Sequence, residues 1–201
     1  MAKIKHTKTE LKQQRDALQR FERYLPTLQL KKQQLQMEVR QLELVTAAKA
    51  REEQEARDQL RSWVKLFADP VPFESYLRIT QVTRSVNNIA GVNVPVLENV
   101  SFERSLPDLF RTAPWLDDAL DLLEKLSRLR LERLVLEEQH RLLQQELRVT
   151  TQRVNLFEKV KIPETREHIR VIRIFLGDQQ TAEVARAKLV KDRGRKAEAA
   201  S

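Results

Sequence analysis

Two interlocking heptad series at the start of this 201-residue chain constrain its fold more than any other feature. One reads Ile4, Leu11, Leu18, Leu25, Lys32, Val39, Thr46, Glu53, Leu60, Phe67, and the other Thr7, Gln14, Phe21, Leu28, Leu35, Leu42, Lys49, Ala56, Trp63. Steps alternating between four and three keep one helical stripe facing one partner, so the repeat predicts a coiled-coil seam over residues 7–67. At ~1.5 Å per residue such an arm reaches ~90 Å, well beyond the diameter of a small domain. Two defects interrupt it. Residues 46–53 (TAAKAREE) are small and polar, which predicts loose packing or a third surface there. Pro26 removes a backbone donor and is expected to bend the helix near Glu22.

A second arm carries the same spacing at Leu122, Leu126, Leu129, Arg133, Leu136, His140, Leu143, Leu147, Thr150, Val154 and Phe157. Past residues 159–163 (KVKIP) the phase moves by one residue, to Ile162, Thr165, Ile169, Ile172 and Leu176. A shifted phase beside Pro163 predicts a local change of winding or a bend. This arm starts at Pro114, a good first-turn residue, with Asp117, Asp118 and Asp121 placing negative charge near the helix start. It outruns the first arm, and Gly177 is expected to loosen it before a basic tail.

Between the arms, residues 69–72 (DPVP) stop the first helix. Residues 76–86 alternate loosely, with Leu77, Ile79, Val82 and Val86 on the apolar side, and residues 93–102 read as a second short strand. Asn87, Asn88 and Gly91 are turn residues, and Pro95 confines its strand to an edge. The stretch 85–100 (SVNNIAGVNVPVLENV) is expected to mark the far end of a rod whose arms run side by side, and Trp63 and Trp115 to cap the seam nearby. Residues 105–114 read as a loop. The resulting fold class is mainly α: a long antiparallel two-helix coiled coil with a small central β-hairpin segment. The divisions are 1–68 for the N-terminal arm, 69–113 for the hairpin and loops, and 114–201 for the C-terminal arm with its tail.

Composition agrees with a rod, since 33% of residues are charged, 5% are aromatic and three are glycine. The net charge of +8 is unevenly spread. Residues 1–32 hold nine Lys/Arg against three Asp/Glu, and residues 182–201 hold six against three, so antiparallel arms would gather the excess at one end. Such an end favours an acidic partner surface, nucleic acid or anionic lipid. The absence of cysteine excludes disulfides, thiol catalysis and cysteine-based zinc sites. No window approaches the ~18 apolar residues of a membrane span, and the first residues lack a signal-type apolar region, so a soluble, cytoplasmic protein is expected.

No catalytic constellation emerges. There is no phosphate-cradling glycine loop, and His6, His140 and His168 lack metal-ligand spacing. His140 and His168 fall on seam positions and read as half-buried structural residues. Glu52, Glu53, Glu55, Glu137 and Glu138 read as solvated helix-face carboxylates. An enzyme is not expected, nor is a cofactor or a metal. A nucleic-acid binder would combine its basic residues with aromatics or a reader motif, and the basic ends have few aromatics. Periodicity alone leaves open a non-rotary coiled-coil scaffold or adaptor.

Three segments in order carry a family resemblance: residues 28–35 (LQLKKQQL), 88–98 (NIAGVNVPVLE) and 153–172 (RVNLFEKVKIPETREHIRVI). Together they resemble the D subunit of V-type (V/A-type) rotary ATPases, in a bacterial form, over nearly the whole chain. The chain departs at residues 25–27 (LPT), where members often carry glycine, and in the tail after Ile172. The resemblance implies a non-catalytic central rotor shaft, a peripheral component on the cytoplasmic side of a membrane complex. The terminal arms would coil inside the bore of the catalytic A/B subunit hexamer. The hairpin end would meet the small F subunit and the funnel-shaped subunit that joins the shaft to the membrane ring. Lys8, Arg15, Lys188 and Lys191 are then expected to face the hexamer, and Asn88, Gly91, Val94 and Pro95 to serve the stalk end. Nucleotide chemistry and ion movement would reside in other subunits.

Overall fold

The computed structural model describes residues 5–61, 73–105 and 115–198. Helix α1 spans Lys8–Arg61, a short α2 spans Phe73–Tyr76, and strands β1 (Leu77–Ile89) and β2 (Val92–Arg104) follow. Helix α3 (Leu116–Leu156) then runs into one turn of π-helix, Phe157–Lys161, and α4 continues from Ile162 to Glu198. The helix stop at residues 69–72, the loop at 106–114, Ile4, Trp63, Phe67 and the proposed helix start at Pro114 lie outside the described residues. Two compact units result: Met1–Leu30 with Thr150–Ser201, and Lys31–Val149.

In the terminal unit the contacts run antiparallel. Phe21 stacks near Phe157 with ring centroids 5.1 Å apart, and His6 meets Phe175 at 4.8 Å. The buried residues are Val154, Ile162, Ile169 and Ile172 with Thr150 and Thr165, all seam positions of the second arm. Of the first arm's seam here, Leu11, Gln14, Leu18, Phe21, Leu25 and Leu28 are half-buried, and Thr7 is exposed. The one-residue phase shift has a backbone cause. In the π turn the Ile162 N–H donates to the Phe157 carbonyl, five residues back instead of four. The wider turn absorbs one extra residue, so the apolar stripe resumes on the same face. Pro163, which has no N–H and would crowd the carbonyl four residues before it, follows directly.

The middle unit has three layers of contact instead of two. Leu35, Val39 and Leu143 meet across α1 and α3, and Val94 of the hairpin completes that core, with Ile89, Ala90, Val92, Leu42, Leu142 and Leu147 around it. The hairpin is a long two-stranded ribbon. It closes through Ala90 (φ 50°) and Gly91 (φ 78°), a two-residue loop with both residues left-handed, as a type I′ turn requires. Asn87 and Asn88, expected in the turn, are instead the residues of β1 just before its end, pairing with Val94 and Asn93. The Asn88 side chain braces the loop by accepting from the Gly91 N–H at 3.0 Å and donating to Asn93 Oδ1 at 2.9 Å.

The ribbon lies back along α3, which corrects the expectation that residues 85–100 mark the far end. At its base Arg104 binds Asp117 (3.1 Å) and Asp121, near the start of α3. Further along, Phe102 lies under the Arg128 guanidinium at 5.9 Å, and Gln139 Nε2 donates to the Pro95 carbonyl at 2.6 Å. At the tip, Val94 reaches Leu143. From Asp121 to Leu143 is ~33 Å of helix at ~1.5 Å per residue, and the stretch of β2 from Arg104 to Val94 covers ~33 Å at ~3.3 Å per residue, so the lengths match. Register shifts beside Thr80 and Glu98 bend and twist the ribbon, which lets it follow a curved helical surface. This second neighbour explains why Leu116, Ala119, Leu120, Val135 and Gln139, off the heptad stripe, are also buried.

Candidate functional site

The stretch at residues 46–53, small and polar in sequence, produces two features of the middle unit. First, Thr46, Ala47 and Ala50 are too short to fill the interhelical space, leaving an open groove of about 330 Å³ bounded by Glu43, Glu137 and His140. His140 Nε2 lies 3.2 Å from Glu43 Oε1 at its edge. Second, Glu53 is 3% exposed. This corrects its reading as a solvated surface charge. It sits on the seam and faces Arg133 at 2.5 Å, Arg57 at 2.7 Å and Arg130 at 3.9 Å. Arg133 also holds Glu137 at 2.5 Å. One turn earlier Lys49 bridges Glu52 (2.9 Å) and Glu132 (3.1 Å), and these bonds raise its pKa above the ordinary lysine value. A polar layer of this kind adds little net stability but disfavours any register that would strand the buried carboxylate.

In the terminal unit a second groove, of about 460 Å³, has four guanidinium groups around an apolar floor: Arg15, Arg166, Arg170 and Arg173 above Leu18, Ile169 and Ile174. Arg166 is paired with Glu22 at 2.8 Å and Arg170 with Glu167 at 2.7 Å. The Arg170 hydrogen bonds hold the Glu167 carboxyl below its usual range. Among the described residues, Arg15 and Arg173 have no ion pair, so the groove keeps a positive surplus. Arg166, Arg170 and Arg173 stand outside the residues expected from sequence to make contacts, although their spacing of four and three already puts them on one helix face.

The expected hexamer-facing residues Lys8, Arg15, Lys188 and Lys191 are all exposed in this unit. They do not form one patch. Leu176 is the last half-buried residue of α4, every residue from 177 to 193 is exposed, and Lys188 and Lys191 lie on that projecting part. Val184, Leu189 and Val190 are exposed there too. The four hairpin residues are largely committed internally: Val94 is fully buried, the Pro95 carbonyl takes the Gln139 bond, and Asn88, within β1, braces the Ala90–Gly91 turn by accepting from the Gly91 N–H. The freest apolar surface of the middle unit is elsewhere, at Met37 and Leu44 on α1, seven residues apart on one face, and at Val86 on β1. Trp115 packs near Phe73 with centroids 6.3 Å apart.

Among the described residues no three His, Asp or Glu side chains converge as metal ligands do, and no helix is long and apolar enough to cross a membrane. What each unit presents is paired helices with grooves and charged faces, the class of protein that works by contact within an assembly. A family model described as the ATP synthase D subunit matches residues 10–192. The chain is 44% identical over 191 residues to the V-type ATP synthase D subunit of Borreliella burgdorferi, covering 95% of each chain. It is 37% identical over 198 residues to the protein of that name from Chlamydia muridarum (94% of this chain, 95% of the other). With that of Chlamydia felis it shares 34% over 193 residues (94% and 93%). The chain belongs to the ATP synthase D-subunit family.

Proposed function

We propose that this chain is the central rotor shaft of a V-type rotary ATPase, coupling ATP hydrolysis or synthesis in the catalytic A/B subunit hexamer to ion translocation by the membrane ring. It carries no chemistry of its own and is a peripheral, cytoplasmic-side component. The observation that carries this reading is the projecting part of α4. Seventeen consecutive residues, 177–193, are exposed on every side. A lone helix of this length is marginal in water, so Val184, Leu189 and Val190 call for an enclosure, and the bore of a hexamer supplies one. Lys8, Arg15, Lys188 and Lys191, with the arginine groove, would meet acidic loops of that bore through attractions weakened by solvent and salt, which guide a turning shaft without trapping it.

The chain would then divide by task, residues 1–68 and 114–201 bearing torque and residues 69–113 serving the stalk end. In the middle unit, Met37 and Leu44 offer an apolar helix face for the small F subunit, and the hairpin around Asn88, Gly91, Val94 and Pro95 is the element that positions it. The funnel-shaped subunit joining the shaft to the ring is the remaining partner.

Because the chain has no cysteine, one placed at Val184 reports cleanly. Paired with a cysteine in a protein of the hexamer, it should stop ATP turnover on oxidation and restore it on reduction. A static scaffold outside the bore would leave turnover indifferent to the cross-link. Reversing Lys8, Arg15, Lys188 and Lys191 together to Glu should weaken assembly or coupling in a salt-sensitive way, and unchanged behaviour would refute the charge role.

A further inference from the structure

In the terminal unit both helices carry a backbone defect at the same level. Pro26 lies inside α1 and has no N–H to give the Glu22 carbonyl. Across the coil, the chain winds through the π turn at Phe157–Lys161, and Pro163 likewise has no N–H for the Lys159 carbonyl. Two contacts bracket the level: Phe21 meets Phe157 at 5.1 Å and Glu22 pairs with Arg166 at 2.8 Å, so residues 21–22 of α1 face the stretch 157–166 that holds the π turn and Pro163. Around this point the apolar contacts are also thin, since Phe21, Leu25 and Phe157 are only half-buried, and Leu156 and Val160 are exposed at 43% and 46%. On either side of it the seam is closed, at Val154 and at Ile162, Thr165, Ile169 and Ile172.

We propose that Pro26 and the π turn together form a compliant level, the place where the terminal coil changes its winding or bends under load. Bending or twisting a two-helix coil is resisted by the hydrogen-bond ladders of both helices. Were the defects at different heights, each would be splinted by an intact stretch opposite. At one height neither helix splints the other, so deformation concentrates there and the flanking seam stays in register. The device is a property of the chain itself and does not depend on what the coil turns.

The heptad spacing supplies the test. Seam residues Val154, Phe157, Ile162, Thr165, Ile169 and Ile172 are separated by three, five, three, four and three positions. Deleting Val160 makes the five a four and leaves an unbroken heptad, so with Pro163→Ala the segment should become continuous α-helix with every later seam residue still on its face. Hydrogen exchange on the full chain is the readout. In the natural chain, amides at residues 20–27 and 156–162 should exchange about tenfold faster than those at 11–18 and 165–173, reflecting local opening. Pro26→Ala should slow exchange on the first side, the Val160 deletion with Pro163→Ala on the second, and the combined variant should exchange evenly. Uniform protection in the natural chain overturns the proposal, as does a Pro26→Ala chain whose exchange does not slow. A deletion variant that loses helicity overturns it too, since the π turn would then not be holding one surplus residue.

Discussion

Replacing Leu143 with alanine tests whether the hairpin tip docks between the helices. Leu143 is fully buried against Leu35, Val39 and Val94, drawn from α1 and the hairpin. The substitution removes three carbons, worth about 2.4 kcal/mol of transfer free energy at ~0.8 kcal/mol per methylene. The space left behind adds to this, and buried Leu→Ala changes elsewhere cost about 2.7–5.0 kcal/mol. A ribbon anchored on one side only can settle partway into the gap, so about 3 kcal/mol is expected. For a chain of this size that is ~6–12 °C in Tm. Urea unfolding followed by circular dichroism measures it, with Met37→Ala as control, since Met37 is 71% exposed and should change stability by under ~0.5 kcal/mol. Val94→Ala should couple to Leu143→Ala by at least ~0.5 kcal/mol in a double-mutant cycle, because the two side chains share one cluster. A loss below ~1 kcal/mol, with no coupling, would refute the docked hairpin and the buried helix pair beneath it.

Glu53→Ala should cost about 2 kcal/mol by removing the buried acceptor of the Arg133 and Arg57 guanidinium groups, although Arg133 keeps Glu137, whereas Glu43→Ala at the exposed His140 pair should cost under ~1 kcal/mol; the same urea experiment compares them. Ala90→Asn should raise stability by roughly 1 kcal/mol, because Ala90 is held at φ 50° where asparagine is better tolerated, and a shift of the urea midpoint reads this directly. The Glu138 and Glu167 carboxyls are held below their usual range by hydrogen bonds from Arg141 and Arg170. Their contribution is complete above the ordinary carboxylate pKa of 4.5 and disappears as pH falls through the lower folded values. Glu138→Gln with Glu167→Gln should therefore flatten the acid side of the Tm-against-pH curve slightly. Lys49 behaves oppositely: its pKa is raised, so its contribution is present below pH 10.5 and is lost only at higher pH, and Lys49→Met should remove that alkaline dependence.

The seam is legible because a heptad is a local, periodic property of one helix. Val39, Ala56, Leu129, Leu143, Val154 and Ile172 are buried where their spacing places them. The phase shift near Pro163 is equally legible, and the π turn is its backbone form. The hairpin is legible as two strands but not in its turn, because Asn87 and Asn88 carry stronger turn propensity than Ala90. Burial of Ile89, Ala90 and Val92 against the helices sets a register in which Ala90 takes the left-handed position. Glu53 is hidden for a related reason: a carboxylate beside arginines looks solvated until the opposite helix is known to bring Arg133 to it. The arginine groove needs α1 and α4 together, and only its α4 spacing is visible along the chain.

The sequence by itself determined that the chain is helical at both ends, that a β-ribbon interrupts it, where the helical phase slips, and which family it belongs to, since each of these is written in spacing and residue type along one strand of chain. The tertiary structure alone decided where the ribbon lies. Its docking along α3 depends on Val94 meeting Leu143, Gln139 meeting the Pro95 carbonyl and Arg104 meeting Asp117, residues from 13 to 49 positions apart. Such pairings follow from shape and charge brought together across the fold, which no periodicity within a single element records.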